Sequence, residues 1–201
     1  MKKKLSLLFT SVIALVMLTA PAYADDKYIS GNAGLILSKD IDINNINGGT
    51  LVKLPLKEGM NVLGAAGLVN ENYRVEAEFG YQKSSINDQL GKGHERILSL
   101  MANGYYDFTT EGIQPYLTAG IGAAQARLSR FLIGLPDAFI SNDSVTGFAY
   151  QLGAGVGFPI GETILIDLRF RHFAMGEITE ANTLKYTPTN NSVLLGLRIN
   201  I

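Results

Sequence analysis

The chain has 201 residues, a formal net charge of −1, 47% hydrophobic residues and no cysteine. Beyond Lys2–Lys4 the chain has no cluster of Lys and Arg, which argues against nucleic acid as a partner, because phosphate neutralisation requires clustered cations. The chain has no disulfides and no thiol chemistry, and its length suits a single folded domain.

Residues 1–24 have the layout of a secretory signal peptide. Lys2–Lys4 form a basic start, Leu5–Leu18 is uncharged, and Ala22 and Ala24 form an A-x-A site that signal peptidase reads. The uncharged run is shorter than the roughly 20 residues that a membrane-spanning helix needs. We therefore expect cleavage after Ala24 and Sec-type export.

The remaining domain, residues 25–201, alternates between apolar and polar side chains. In the segment 73–82, the odd positions are Tyr, Val, Ala, Phe and Tyr, and the even ones are Arg, Glu, Glu, Gly and Gln. Successive side chains of a strand point to opposite faces, so this pattern predicts a strand with one apolar and one charged face. Eight such strands are expected: 27–37, 60–69, 73–82, 95–108, 113–127, 147–158, 163–174 and 191–201.

The connections between these strands alternate in length. The short ones are 70–72, 109–112 and 159–162, and the long ones are 38–59, 83–94, 128–146 and 175–190. Short periplasmic turns and long extracellular loops are typical of outer-membrane barrels. The pattern predicts an all-β fold, an eight-stranded antiparallel up-and-down transmembrane β-barrel in the outer membrane of a Gram-negative cell.

Three segments carry a family resemblance. They are Gln114–Tyr116 with Gly120 and Gly122, then Phe148–Gly157, and then Asp167–Phe173. In these motifs the chain resembles the outer-membrane β-barrel domain family, which includes OmpA-like barrels and surface-antigen porin-like proteins. The resemblance implies the barrel fold, the outer-membrane location and recognition by the barrel-assembly machinery. Such structural signatures are shared by functionally different barrels and do not imply an activity.

The interior of an eight-stranded barrel is narrow enough for side chains to fill it. Charges from opposite walls should meet there, and buried charge is tolerable only when it is paired and hydrogen-bonded. We expect an interior ion-pair network that plugs the barrel, formed by Arg74, Glu76, Glu78, Asp167, Arg169, Arg171 and Arg198. The alternative is a gated conduit lined by the same groups, although aqueous channels generally need about 16 strands.

The sequence indicates no catalytic, cofactor-binding or metal-binding site. The glycines of Gly153–Gly157 lack the spacing of a nucleotide loop and lie within a strand, and His94 and His172 are too few for a metal site. Barrel lipid A deacylases carry a Ser two residues after their His, so that the hydroxyl and the imidazole share a face. Here that position is Ala174, so the nucleophile is missing, and we expect no enzyme activity.

One long connection is unusually apolar for an extracellular loop. It either folds over the barrel mouth or the outer leaflet, or it binds a host surface, a lipid or a partner protein. The residues of this candidate interaction patch are Phe131, Leu132, Ile133, Leu135, Phe139 and Ile140.

Three functions remain open at this point. The leading hypothesis is a structural or surface-interaction role, adhesin- or antigen-like, in which a packed and largely closed barrel displays four long loops. The alternative is a narrow porin-like channel for small solutes or ions. A soluble ligand carrier is disfavoured, because charge would line the face that must hold an apolar ligand. The expected partners are outer-membrane lipid and lipopolysaccharide, the barrel-assembly machinery, and an extracellular partner reached through the loops.

Overall fold

The computed structural model describes residues 26–37, 40–45, 50–88, 91–132, 144–176, 178–180 and 184–201. Side chains are described for these residues except 40–45, 50–58, 86–88, 91–92, 128–132, 178–180 and 184–186. Eleven strands lie in the described ranges: β1 Asp26–Leu37, β2 Asp40–Asn45, β3 Thr50–Asn70, β4 Tyr73–Asp88, β5 Gly91–Asp107, β6 Gln114–Leu132, β7 Ser144–Pro159, β8 Ile164–Met175, β9 Ile178–Glu180, β10 Leu184–Tyr186 and β11 Thr189–Asn200. Within the same ranges, no helix is long and apolar enough to cross a membrane.

Eight of these strands close into one antiparallel barrel, in the order β1, β11, β8, β7, β6, β5, β4 and β3. The barrel closes at β1, where Ile29 is paired with Ile199 of β11 on one side and with Ala66 of β3 on the other. The predicted eight-stranded up-and-down barrel is confirmed. β2 extends the sheet from β3, and β10 and β9 follow it.

The short connections all lie at one end of the barrel, which we call the short-turn end. They are residues 71–72, 108–113 and 160–163. Glu71, Gly112 and Gly161 have positive φ there, and Gly161 at +102° adopts a conformation that only glycine reaches easily. The opposite end, which we call the long-loop end, carries the four connections predicted to be long. One of these predictions, 83–94, is wrong: only residues 89–90 separate β4 from β5, because the two strands stay paired as far as Asp88 and Gly91.

Several strands are longer than predicted, and every addition of more than one residue is at the long-loop end. β3 begins at Thr50 instead of residue 60, β4 continues to Asp88 and β6 to Leu132. The prediction relied on apolar–polar alternation, which is required only where one face of the strand contacts hydrocarbon. Beyond the membrane the backbone continues its ladder without that constraint.

The outside of the barrel is apolar and the inside is polar. Large exposed apolar side chains occur on all eight barrel strands, with Leu35, Ile121 and Leu195 each at least 60% exposed. Many fully buried inward positions instead hold polar groups such as Asn61 and Glu78. A soluble protein rarely exposes so large a continuous apolar surface, whereas a transmembrane barrel requires one.

An aromatic cluster marks the short-turn end of this apolar surface. The rings of Tyr73 and Tyr106 lie 5.3 Å apart, and those of Tyr106 and Phe108 lie 5.4 Å apart. All three side chains are exposed. Aromatic girdles of this kind lie at the membrane interface, so the cluster places one edge of the bilayer.

Candidate functional site inside the barrel

The structure brings the seven predicted charged residues into the barrel interior. Alternate residues of β4 and β8 point inward, and these two strands lie on opposite walls of the eight-stranded ring. Five of the side chains are buried, namely Arg74, Glu76, Glu78, Arg169 and Arg171. Asp167 and Arg198 are half-buried.

Glu78 of β4 is the centre of a bridge to β8. Its carboxylate lies 3.1 Å from Nη1 of Arg169 and 3.6 Å from Nη2 of Arg171. Gln151 of β7 donates to Oε1 of Glu78 at 3.2 Å and accepts a hydrogen bond from Nε of Arg171. Glu78 is completely buried. Because removal from water makes an unpaired charge costly, these contacts are what allow the carboxylate to lie there.

Glu76 does not form an ion pair, although the sequence analysis expected one. Its carboxylate accepts hydrogen bonds from four uncharged groups: Tyr28 Oη at 3.0 Å, Ser30 Oγ at 3.3 Å, Asn103 Nδ2 at 3.1 Å and Tyr105 Oη at 2.7 Å. No Lys or Arg among the described side chains lies within salt-bridge distance of it. The Tyr105 hydroxyl also accepts from Nη1 of Arg169 at 2.7 Å, so Glu76 is linked to a cation through a tyrosine.

Arg74 pairs with Asp107, a residue absent from the predicted set. The pair is bidentate, with Nε to Oδ2 at 2.7 Å and Nη2 to Oδ1 at 2.8 Å. The guanidinium also lies over the rings of Tyr105, at 4.2 Å, and Tyr116, at 4.9 Å. Planar guanidinium groups suit both contacts, so this site packs the short-turn end of the interior tightly.

Asp167 and Arg198, the two half-buried members, use polar partners rather than each other. The Tyr116 hydroxyl donates to Oδ2 of Asp167 at 2.9 Å. In the amide orientation that satisfies both neighbours, Asn32 donates to Asp167 and accepts from Arg169, each at 3.2 Å. Arg198 donates to Oε1 of Gln114. We call the seven charged residues and these partners the interior polar network.

A group of apolar side chains fills the long-loop half of the interior on the β5 to β8 side. This apolar cluster consists of Ile97, Met101, Ala124, Ala126, Ala149, Phe173 and Met175. It contacts the interior polar network directly, since the Arg171 guanidinium lies 4.7 Å from the centre of the Phe173 ring. The cavity left among the network residues has a volume of about 10 Å³, which is at the lower limit for one water molecule. The described interior is therefore packed and closed.

Sequence reasoning missed Asp107 and most of the uncharged members of the network. Tyr28, Tyr105, Tyr116 and Asp107 are buried and point inward. The signal was present in the parity of β5, where Asn103, Tyr105 and Asp107 alternate with exposed residues. The predicted set was limited to charged side chains of three strands, and it therefore left out the inward tyrosines.

The other candidate residues lie elsewhere. Of the apolar loop patch, Phe131 and Leu132 end β6 with only their backbone described, and Ile133, Leu135, Phe139 and Ile140 lie outside the described residues. The same holds for Ala22 and Ala24, so the signal peptide stays a prediction. Nδ1 of His172 lies 2.8 Å from Oδ1 of Asn191. Among the described residues, no group of three acidic or His side chains could hold a metal ion.

Comparisons with known proteins agree with this architecture. The sequence model of the family described as outer membrane protein beta-barrel domain matches residues 10–198. Outer membrane protein PagN of Salmonella typhimurium is 31% identical over 93 residues, which span 44% of this chain and 38% of PagN. The chain thus matches well under half of that relative's length.

Two solved structures share the fold. The crystal structure of Neisserial surface protein A aligns with a TM-score of 0.57 and 19% identity, covering 86% of this chain and 96% of that one. The outer membrane protease OmpT of Escherichia coli aligns with a TM-score of 0.51 and 10% identity, covering 89% and 97%. At these identities the likeness concerns the fold alone. One of these proteins is a surface protein and the other is a protease, so the shared fold leaves the activity open.

Proposed function

The chain belongs to the outer membrane protein β-barrel domain family and lies in the Gram-negative outer membrane, and from that premise we propose that it is a non-enzymatic display protein. Its closed barrel anchors the long-loop end, and that end binds a partner outside the cell. The assembly machinery of the outer membrane and the surrounding lipid are its other partners in this proposal.

The observation that carries the proposal is the height of one wall of the barrel. A tilted strand needs about 9–11 residues to cross the bilayer. β3 has 21 residues, β5 has 17 and β6 has 19, whereas β1, β8 and β11 have 12 each. The adjacent strands β3 to β6, which we call the tall wall, have their extra length at the long-loop end. Ordered structure outside the membrane has no use in anchoring, and it suits contact with a partner.

Two further observations support display over transport or catalysis. The interior polar network and the apolar cluster fill the lumen, so the described barrel offers no conduit. His172, whose counterpart is catalytic in barrel deacylases, is hydrogen-bonded to Asn191, and Ala174 occupies the place of a nucleophile. Both observations favour the long loops as the part of the protein that carries the function.

Attachment of whole bacteria tests the proposal. A laboratory strain without adhesins would express either the full chain or a variant in which residues 133–143 are replaced by a short Gly-Ser linker. We expect the full chain to increase the number of bacteria bound to cultured epithelial cells several-fold over empty vector. The linker variant should return to the vector level if the apolar patch makes the contact.

The matched control is Glu111→Ala in the short connection 108–113, at the opposite end of the barrel. It should attach as well as the full chain. Each variant must still migrate differently before and after boiling on SDS gels, which reports an intact barrel. Equal attachment by the full chain and the empty vector would contradict the display role.

A further inference from the structure

Three cations form a row on the outer surface of the tall wall. Lys83 of β4 is paired in register with Arg96 of β5, and Arg96 is paired with Arg127 of β6. All three side chains are exposed. Neighbouring strands lie about 4.8 Å apart, so the row places three positive charges within about 10 Å along the surface. We call Lys83, Arg96 and Arg127 the cation row.

The cation row lies at the height where the outer leaflet of the membrane meets water. From Tyr73, in the aromatic cluster, to Lys83 the same strand advances ten residues, which is about 33 Å along the strand and about 25 Å along the membrane normal at a tilt of about 40°. The apolar band of an outer-membrane barrel is also about 25 Å tall. The cation row therefore lies at the level of the lipid headgroups of the outer leaflet.

The outward-facing neighbours confirm this boundary. One step closer to the short-turn end, Tyr81, Leu98 and Gln125 are paired with one another on the same three strands. One step further out, Ser85 is paired with His94. The surface thus changes from largely apolar to polar at the cation row itself.

The cation row has no counter-charge among the side chains that the structure describes. Like charges directly opposite each other on adjacent strands are destabilising. Among the described side chains, the salt bridges all lie inside the barrel and involve none of the three. The residues paired with the two ends of the row are Met60 and Ser144. Partial burial, together with the nearby Arg96 and Lys83, lowers the pKa of His94, which reflects the same uncompensated positive field.

We propose that the cation row binds the phosphate groups of lipopolysaccharide in the outer leaflet. Guanidinium groups bind phosphate in a bidentate manner and lysine adds a point charge, so two arginines and one lysine suit a phosphorylated glycolipid. The outer leaflet of the Gram-negative outer membrane presents such phosphates at the height of the row. This inference rests on the outer-membrane location alone and is independent of the display role.

The test measures binding of bisphosphorylated lipid A to the full chain in detergent micelles. We expect the triple variant Lys83→Gln, Arg96→Gln and Arg127→Gln to bind at least tenfold more weakly than wild type. Dephosphorylated lipid A should bind the wild type and the triple variant with the same affinity. The matched control is Lys27→Gln, which removes an exposed cation of β1 at the short-turn end and should leave the affinity unchanged.

A boiling-dependent shift on SDS gels verifies that each variant retains its barrel. Equal affinity of wild type and the triple variant for bisphosphorylated lipid A would overturn the inference. It would also be overturned if the triple variant lost binding to soluble heparin while keeping its affinity for lipid A, because the row would then bind a soluble polyanion instead.

Discussion

The short-turn half of the barrel interior is filled by charged and hydrogen-bonded side chains, whereas the long-loop half of the β5 to β8 side is filled by Ile97, Met101, Phe173 and Met175. The polar half joins opposite walls, because Glu78 of β4 bridges to Arg169 of β8. The apolar half joins the neighbouring strands β5 to β8 through packing contacts rather than hydrogen bonds. The two halves should therefore respond differently to substitutions that conserve volume.

The largest expected effect is the loss of the charge at Glu78. Glu78→Gln conserves shape but leaves Arg169 and Arg171 buried without their carboxylate, and breaking a buried pair costs about 3–5 kcal/mol. The free energy of unfolding can be measured from the folded fraction on unboiled SDS gels across a urea series, since the chain has no Trp for fluorescence.

The matched control for this prediction is Glu162→Gln, an exposed acid at the short-turn end, which should change stability by less than about 0.5 kcal/mol. Combining Glu78→Gln with Arg171→Met should cost less than the sum of the two single changes, because the double variant leaves one buried cation fewer without a partner. Additive costs would show that Glu78 and Arg171 do not interact.

The apolar cluster should depend on volume instead of charge. Met101→Ala leaves a cavity, and such truncations in a buried core cost about 2–5 kcal/mol. Met101→Leu keeps the volume and should cost less than about 1.5 kcal/mol. The same urea series measures both. A loss for Met101→Leu as large as that for Glu78→Gln would remove the distinction between the two halves.

A single hydroxyl gives a smaller effect in the polar half. Tyr105→Phe removes the 2.7 Å hydrogen bond to Glu76 and the acceptor of Arg169. Hydrogen bonds to charged groups contribute about 1.5–3 kcal/mol. Tyr106→Phe is the control, because its exposed side chain lies on the lipid face and should change stability little. Equal losses from the two substitutions would place the Tyr105 effect outside the network.

The smallest expected effect is on ion conductance, where we expect no current from the wild type and none from a variant with one half opened. Because both halves are packed, the wild-type barrel in a planar bilayer should show no steady single-channel current. The double variant Met101→Ser and Phe173→Ser opens only one half and should also stay silent, since the interior polar network remains. Regular current steps from the wild type would instead support the narrow channel for small solutes or ions.

The barrel could be predicted from the sequence because the membrane imposes a strict period of two on each strand. The ends of the strands could not: the last part of β4 contains Ser84, Ser85, Asn87 and Asp88 without alternation, because no hydrocarbon selects its outer face. The charged residues of the interior were also predictable from parity. Their pairing was not, since Asp107 and the inward tyrosines belong to strands whose relative height depends on the stagger of the closed barrel.

The bridge from Glu78 to Arg169 also bears on how the barrel assembles. The two residues are separated by 91 positions in the chain, so a sheet that has inserted β4 but not β8 exposes an unsatisfied carboxylate on its inner face. Moving one strand by a single residue would turn its charges towards lipid. The interior contacts therefore favour the fully closed ring in its native stagger over partly inserted or misaligned sheets.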